Sequence, residues 1–327
     1  MVTAPPVPVT VLTGFLGAGK TTLLSALLRR PELAGTAVFI NEVGAIAIDH
    51  HLVRDVKGDA VVLGSGCVCC TVAGDLVRAL LELAAQVARG EVPPFARALV
   101  ETTGLADPTG VLAALVNHPL IARHYQPGAV VTAVDGQLGL ATLARQPEAV
   151  AQVALADRIV ITKTDLAAPD QLDALEAALR EKNAGAAIVR SARGEVDPEV
   201  LLAPAPDTAW IDAAARRPVA HGFISTFTVT FGRPVRMGPL GLWLTLITQM
   251  HAGALLRVKG LVDVEGESAP VVIDCVQHVI HPARQLPAWP DDDHRTRLVF
   301  VARGLAAGTI ASLRASLADS LGQPLVD

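Results

Sequence analysis

The stretch Val7-Pro8-Val9-Thr10-Val11-Leu12-Thr13-Gly14-Phe15-Leu16-Gly17-Ala18-Gly19-Lys20-Thr21-Thr22 decides the fold. Its first seven residues form an apolar, β-branched run of strand length. Gly14 to Thr21 then fits G-x-x-x-x-G-K-[ST] in full, and a segment of helical period follows. A strand, a glycine-rich loop and a helix in that order make a seat for a chain of phosphates. The glycines let backbone N–H groups curl around phosphate oxygens, and the helix N-terminus adds partial positive charge. Lys20 would reach the β- and γ-phosphates, and the Thr21 hydroxyl would ligate Mg²⁺.

Outward from this loop, short buried runs alternate with helical stretches. Strands are predicted at 7–13, 37–41, 60–63, 98–102, 129–134, 158–162 and 187–190. Helices are predicted near 21–30, 75–89, 108–116, 147–154 and 168–182. Such alternation means parallel βαβ units, whose ligands bind at the carboxyl ends of the strands. Ala203-Pro204-Ala205-Pro206 reads as a linker. Beyond it, strands are predicted at 223–231, 255–264, 271–280 and 297–302, with helices near 239–251 and 306–321. The expected architecture is an α/β, P-loop NTPase three-layer sandwich with a mostly parallel sheet over residues 1–203. A linker over 204–220 and a smaller α+β domain over 221–327 complete it.

Composition narrows the function classes. The 327 residues are 51% hydrophobic and 18% charged, ample for sizeable cores. No window approaches the ~18 uninterrupted apolar residues of a spanning helix. Residues 1–10 hold no Lys or Arg, so a signal peptide is not indicated. A net charge of −5 gives no reason to expect a nucleic-acid partner. A cytoplasmic protein without membrane or nucleic-acid partners is the expectation.

Two further motifs follow predicted strands. Ala98-Leu99-Val100-Glu101 ends on an acid and is followed by Thr102-Thr103-Gly104. Glu101 would hold Mg²⁺ through water, and Gly104 would let the backbone approach the γ-phosphate. Thr162-Lys163-Thr164-Asp165 stands where a base would be read. A carboxylate at Asp165 can accept from the ring N–H and the exocyclic amino group of guanine. Adenine offers no such pair, so GTP and GDP are the expected nucleotides. Ser191-Ala192, after the next strand, is placed to close over the base.

The four cysteines are unevenly spread. Cys67, Cys69 and Cys70 lie in Gly66-Cys67-Val68-Cys69-Cys70, and Cys275 stands far away. Thiolates at this spacing can share one borderline cation such as Zn²⁺ or Co²⁺. A buried apolar cluster and a redox dithiol are the other readings. In an extended stretch Cys67 and Cys69 point the same way, and Cys70 needs a turn to join them. Asn41-Glu42-Val43-Gly44 follows the second strand. Glu42 could meet a metal, Mg²⁺-linked water or solvent only. His118, after the helix that follows Glu101, could face the cysteines, whereas His50 and His51 read as solvated loop residues. Cys275 reads as a packing residue of the second domain.

Taken together these residues resemble the CobW family of metal-handling GTPases, in the SIMIBI class of P-loop proteins. Gly14 to Thr22 resembles the family phosphate loop, and Asn41-Glu42 with Gly44 its first switch. Gly66 to Cys70 resembles its Cys-x-Cys-Cys signature, and Glu101 to Pro108 its Glu-Thr-Thr-Gly-Leu-Ala-Asp-Pro segment. Arg257-Val258-Lys259-Gly260, Val276-Gln277-His278 and Trp289-Pro290 resemble its C-terminal domain. The resemblance implies GTP hydrolysis coupled to delivery of a transition metal, zinc or cobalt, to a client metalloprotein. It implies that Cys67, Cys69 and Cys70 carry the metal, with Glu42 and His118 as further contacts. Three departures stand out. Thr162 replaces the usual Asn of the guanine motif, Ala45 replaces a Glu of the first switch, and the linker lacks a His-rich run. No arginine finger or catalytic glutamine can be named, so intrinsic turnover is expected to be slow. A metal, a client or a homodimer would then accelerate it. The competing reading is a nucleotide-switched zinc or redox sensor that delivers nothing.

Overall fold

The computed structural model describes residues 5–40, 61–64, 72–202, 220–221 and 224–326. The chain divides into two compact units: Met1–Leu179 with Ala186–Ala205, and Arg180–Gly185 with Pro206–Asp327. Asn41, Glu42, Ala45, His50, His51, Cys67, Cys69, Cys70 and the linker up to Val219 lie outside the described residues.

The first unit is built on a seven-stranded sheet in which every pair is parallel. Its strands are β1 (Val7–Thr13), β2 (Thr36–Ile40), β3 (Val61–Gly64), β4 (Arg97–Glu101), β5 (Tyr125–Asp135), β6 (Arg158–Thr162) and β7 (Ala187–Arg190), in the order β3-β2-β4-β1-β5-β6-β7. The helices are α1 (Lys20–Leu27), α2 (Val72–Ala88), α3 (Thr109–Asn117), α4 (Gly139–Arg145), α5 (Pro147–Leu155), α6 (Pro169–Lys182) and α7 (Pro198–Leu202). Alternation along the strands sorts the two faces. Leu12, Val38, Leu99, Val131 and Val160 pack with Leu23, Leu24 and Leu27 of α1 and Leu201 of α7. The intervening residues face the other way, where the Thr132 hydroxyl donates to the Gln152 carbonyl of α5 at 2.9 Å. Central β1 thus delivers its loop to the carboxyl edge of the sheet, between β4 and β5.

β5 begins four residues before its predicted start. Pro127 and Gly128 look like strand breakers, yet they sit at a bulge. The register with β1 slips from Val9 opposite Pro127 to Val11 opposite Val130. There the two backbones approach closely: a Cβ on Gly128 would stand 2.9 Å from the Val9 carbonyl carbon and oxygen. Neither α4 nor α7 is foreseen by periodicity, since each is too short to show a face.

The second unit carries an antiparallel sheet. Its strands are β8 (Ala220–His221), β9 (Ile224–Phe231), β10 (Leu255–Val262), β11 (Val271–Val276), β12 (Val279–Ile280), β13 (Arg284–Gln285) and β14 (Thr296–Arg303). The order is β12-β11-β10-β14-β9-β8, with β13 also beside β11. Helices α8 (Met237–Met250) and α9 (Ala307–Leu321) contribute Leu240, Trp243, Leu244, Leu313 and Leu317 to a core with Phe227, Val229, Phe231 and Phe300. Phe227 stacks on Phe300 at 4.8 Å between centroids, and Trp243 meets Phe300 edge-on. Cys275 is fully buried in this core, and burial pushes its thiol pKa upward, so it packs as a small hydrophobe. The single strand predicted over 271–280 is a hairpin instead. Gln277 adopts a positive φ of 49° and turns the chain, so that Val276 pairs with Val279.

Replacing Gly128 with Val should therefore destabilise the first unit by about 1–3 kcal/mol, through overpacking against β1. Urea unfolding would measure it, and an unchanged midpoint would contradict the close approach.

Candidate functional site

The loop after β1 owes its shape to three glycines with φ of 139° (Gly14), 77° (Gly17) and 83° (Gly19). Side chains are strained at these values. Gly14 also passes so near β5 that a Cβ would overlap the Ala133 carbonyl oxygen. Side-chain donors meet several carbonyls of this loop. Lys20 Nζ donates to the Gly14 oxygen at 2.9 Å and to the Phe15 oxygen at 3.4 Å. Lys163 Nζ donates to the Gly17 oxygen at 2.7 Å, and the Thr162 hydroxyl to the Ala18 oxygen at 2.7 Å. The N-cap of α1 is Gly19, which has no side chain to cap the helix, and a helix N-terminus of this kind can face an anion.

Beside the loop, β4 brings up its terminal acid. Glu101 is 3% exposed and accepts from the Thr21 hydroxyl at 3.0 Å. The next residue ties the two strands together, its hydroxyl donating to that of Thr13 at 2.9 Å (Thr102). Gly104 then meets the phosphate loop: a Cβ there would stand 2.7 Å from the Leu16 nitrogen. Behind this contact lies a solvent-open cavity of about 130 Å³, lined by Phe15, Leu16, Asp135, Leu138 and Gln152 among others.

The third wall comes from β6 and β7. Thr162 is 3% exposed, and its hydroxyl lies within reach of both the Ala18 and Val134 carbonyls. Lys163 takes a left-handed φ of 54° and pairs with Asp135 at 2.7 Å. Burial opposes ionisation of Asp135. Hydrogen bonds from Lys163 and from the Leu138 and Gln137 amides outweigh it and hold the carboxyl below the usual range. Asp165 accepts from the Arg193 backbone amide at 3.3 Å and stays partly exposed. Ser191 is 1% exposed; its carbonyl accepts from the Thr164 amide, and its hydroxyl has no hydrogen-bond partner among the described residues. The loop after β7 returns to the start of α1, where a Cβ on Gly194 would stand 2.9 Å from the exposed Thr22's carbonyl oxygen.

The fold thus gathers Gly14, Gly17, Ala18, Gly19, Lys20, Thr21, Thr22, Glu101, Gly104, Thr162, Lys163, Asp165 and Ser191 along the carboxyl edge of one sheet. It also adds residues that the sequence reading passes over. Asp135 had a signal, an acid at a strand's carboxyl end. Gln152 had only a polar side chain on the buried face of a helix. His118, at the C-terminus of α3, uses Nδ1 to accept from the Ile121 amide at 3.4 Å. A metal at Nε2 would shift the proton to Nδ1 and break that bond. Among the described residues no three His, Cys, Asp or Glu side chains converge on a metal position. None of the described helices is long and apolar enough to cross a membrane.

Residues 8–190 match the family described as CobW/HypB/UreG, nucleotide-binding domain. Residues 224–321 match the cobalamin synthesis protein cobW C-terminal domain. The chain is 30% identical over 307 residues to the zinc chaperone YjiA of Escherichia coli, covering 90% of this chain and 94% of that one. It is 30% identical to the zinc chaperone CobW of Pseudomonas aeruginosa, covering 97% and 93%. A crystal structure of Zn(II)-bound YjiA GTPase from E. coli superposes with a TM-score of 0.73 at 27% identity, over 96% of this chain and 99% of that one.

Because the native pKa of Asp135 is depressed, the stability it adds is present above the ordinary aspartate range. It is lost as the pH falls through the lower native value. Asp135→Asn should lower stability most at neutral pH, and the gap from wild type should shrink on acidification. Urea unfolding at several pH values would show it; a gap independent of pH would refute the assignment.

Proposed function

We propose, from the premise that the chain belongs to the CobW/HypB/UreG family, that it hydrolyses GTP and uses the cycle to deliver zinc to a client metalloprotein. The observation that carries this reading is the meeting of Thr21 and Glu101 beside Lys20, at the mouth of a glycine loop. Two hard oxygen donors, one from the phosphate loop and one from a neighbouring strand, suit Mg²⁺. When bound there, Mg²⁺ would offset charge between the β- and γ-phosphates. Lys20 leaves the Gly14 and Phe15 carbonyls to meet the phosphates and stabilises the transferring charge. Gly14, Gly17, Ala18, Gly19 and Thr22 line the phosphates, and Gly104 meets the terminal one. Thr162, Lys163, Asp165 and Ser191 form the guanine side: Asp165 exchanges the Arg193 amide for the base.

Zinc is cargo in this reading. Its support is the relatives named zinc chaperones and the Zn(II)-bound YjiA structure. Cobalt is the second candidate cargo. Cys67, Cys69 and Cys70 would hold the metal through thiolates, with Glu42 and His118 as further contacts. No arginine finger can be named among the described residues, and in this reading turnover stays slow until metal, client or a second copy intervenes.

Two measurements test the proposal. Titrating the reduced protein with Co²⁺ and then Zn²⁺, in Mg²⁺–GTP and in Mg²⁺–GDP, should give much tighter binding with GTP. Transfer to an acceptor apoprotein should follow hydrolysis. Equal affinity in both states would mean no coupling and would favour a sensor. Thr162→Val removes the hydroxyl that secures the Ala18 carbonyl while preserving shape. GDP affinity should fall roughly 5- to 150-fold, the equivalent of about 1–3 kcal/mol for an orphaned buried group. Unchanged affinity would place Thr162 outside the nucleotide machinery.

A further inference from the structure

Helix α5 turns an apolar face inward: Ala149, Val150, Val153, Ala154 and Leu155 are all buried. Gln152 lies among them at 1% exposure. Its Nε2 donates to two carbonyls of the turn after β4, those of Gly104 and Ala106, each at 3.2 Å. Its own backbone oxygen accepts from Thr132 of β5, so the helix is anchored to the sheet at this same residue.

The orientation of the amide follows from its neighbours. Turned the other way, Oε1 would face two carbonyl oxygens. As it stands, both donor contacts are made, and Oε1 is buried with no hydrogen-bond partner among the described residues. An orphaned acceptor costs stability. A methionine of equal length would avoid that cost but could not hold the turn. The turn is gripped from its other side as well, because Gly104 abuts the Leu16 backbone. Leu16 belongs to the phosphate loop. The Gly104 turn is therefore clamped between that loop and Gln152.

We propose that Gln152 is a positioning residue for GTP: through the Gly104 and Ala106 carbonyls it presets the turn that meets the terminal phosphate. The inference rests on the nucleotide reading given above. A turn set in advance loses less conformational freedom when the third phosphate arrives, so the bonds favour GTP. GDP has no group to meet the turn, and its affinity does not depend on them.

The full-length protein provides the test, using fluorescent GDP, a non-hydrolysable GTP analogue, phosphate release and thermal melting. Gln152→Met should keep GDP affinity within about twofold and a near-wild-type melting temperature. It should weaken the GTP analogue about tenfold and slow phosphate release by at least as much. Gln152→Glu keeps the length but loses the paired donors, and should show the same split. Parallel weakening of both nucleotides, with or without a fall in melting temperature, would mark a merely structural bond and overturn the proposal. So would no change in either. If the wild type binds neither nucleotide, the nucleotide reading itself fails, a result distinct from both.

Discussion

A peptide unit directs its N–H and its C=O in opposite directions. A loop that turns its amides toward an anion must turn its carbonyls outward, and buried carbonyls need donors. Much of the first unit answers that requirement. Lys20, Lys163 and Thr162 supply the donors to Gly14, Phe15, Gly17 and Ala18. Asp135 holds Lys163 in place, and the helical turn capped by its carboxylate begins at the same strand end. The sheet order, with β1 between β4 and β5, lets a strand-end acid and two strand-end donors surround one loop.

What was legible in the sequence was what a short window contains. The glycine loop, the acid after Val100 and the strand before Thr162 each carry their own punctuation. The boundaries of β1, β6 and β7 match the predicted ones for that reason. The alternation of aromatic and Thr residues in β9 announced an antiparallel sheet in the same way. What escaped depends on distant partners. Pro127 and Gly128 read as a break because the bulge that accepts them is made by Val9. Gln152 carries no motif, since its meaning lies in carbonyls of another element. Thr162, compared with asparagine, looks like a loss. Its hydroxyl nonetheless reaches the phosphate-loop carbonyl at Ala18.

The second unit solves a different problem. Three of its aromatic residues, Phe227, Phe300 and Trp243, form one contact group across β9, β14 and α8. The Trp243 indole finds Ser316 of α9 at 2.7 Å, so both helices are tied to one side of the sheet. Cys275 belongs to this packing, not to thiolate chemistry, which separates it from the cluster at Cys67, Cys69 and Cys70.

Two of the three side chains that secure the phosphate loop lie far along the chain. Thr162 is 144 positions beyond Ala18, and Lys163 is 146 beyond Gly17. During synthesis the loop therefore emerges long before the residues that shape it. Its own strand must also wait, for its sheet neighbours are β4 and β5. Contacts of such range form late and fold slowly. A nascent chain that ends before β6 carries the complete phosphate-loop motif but not the structure that makes it a receptor. In the nucleotide reading proposed above, the phosphate seat is thus a property of the finished domain rather than of its N-terminal segment.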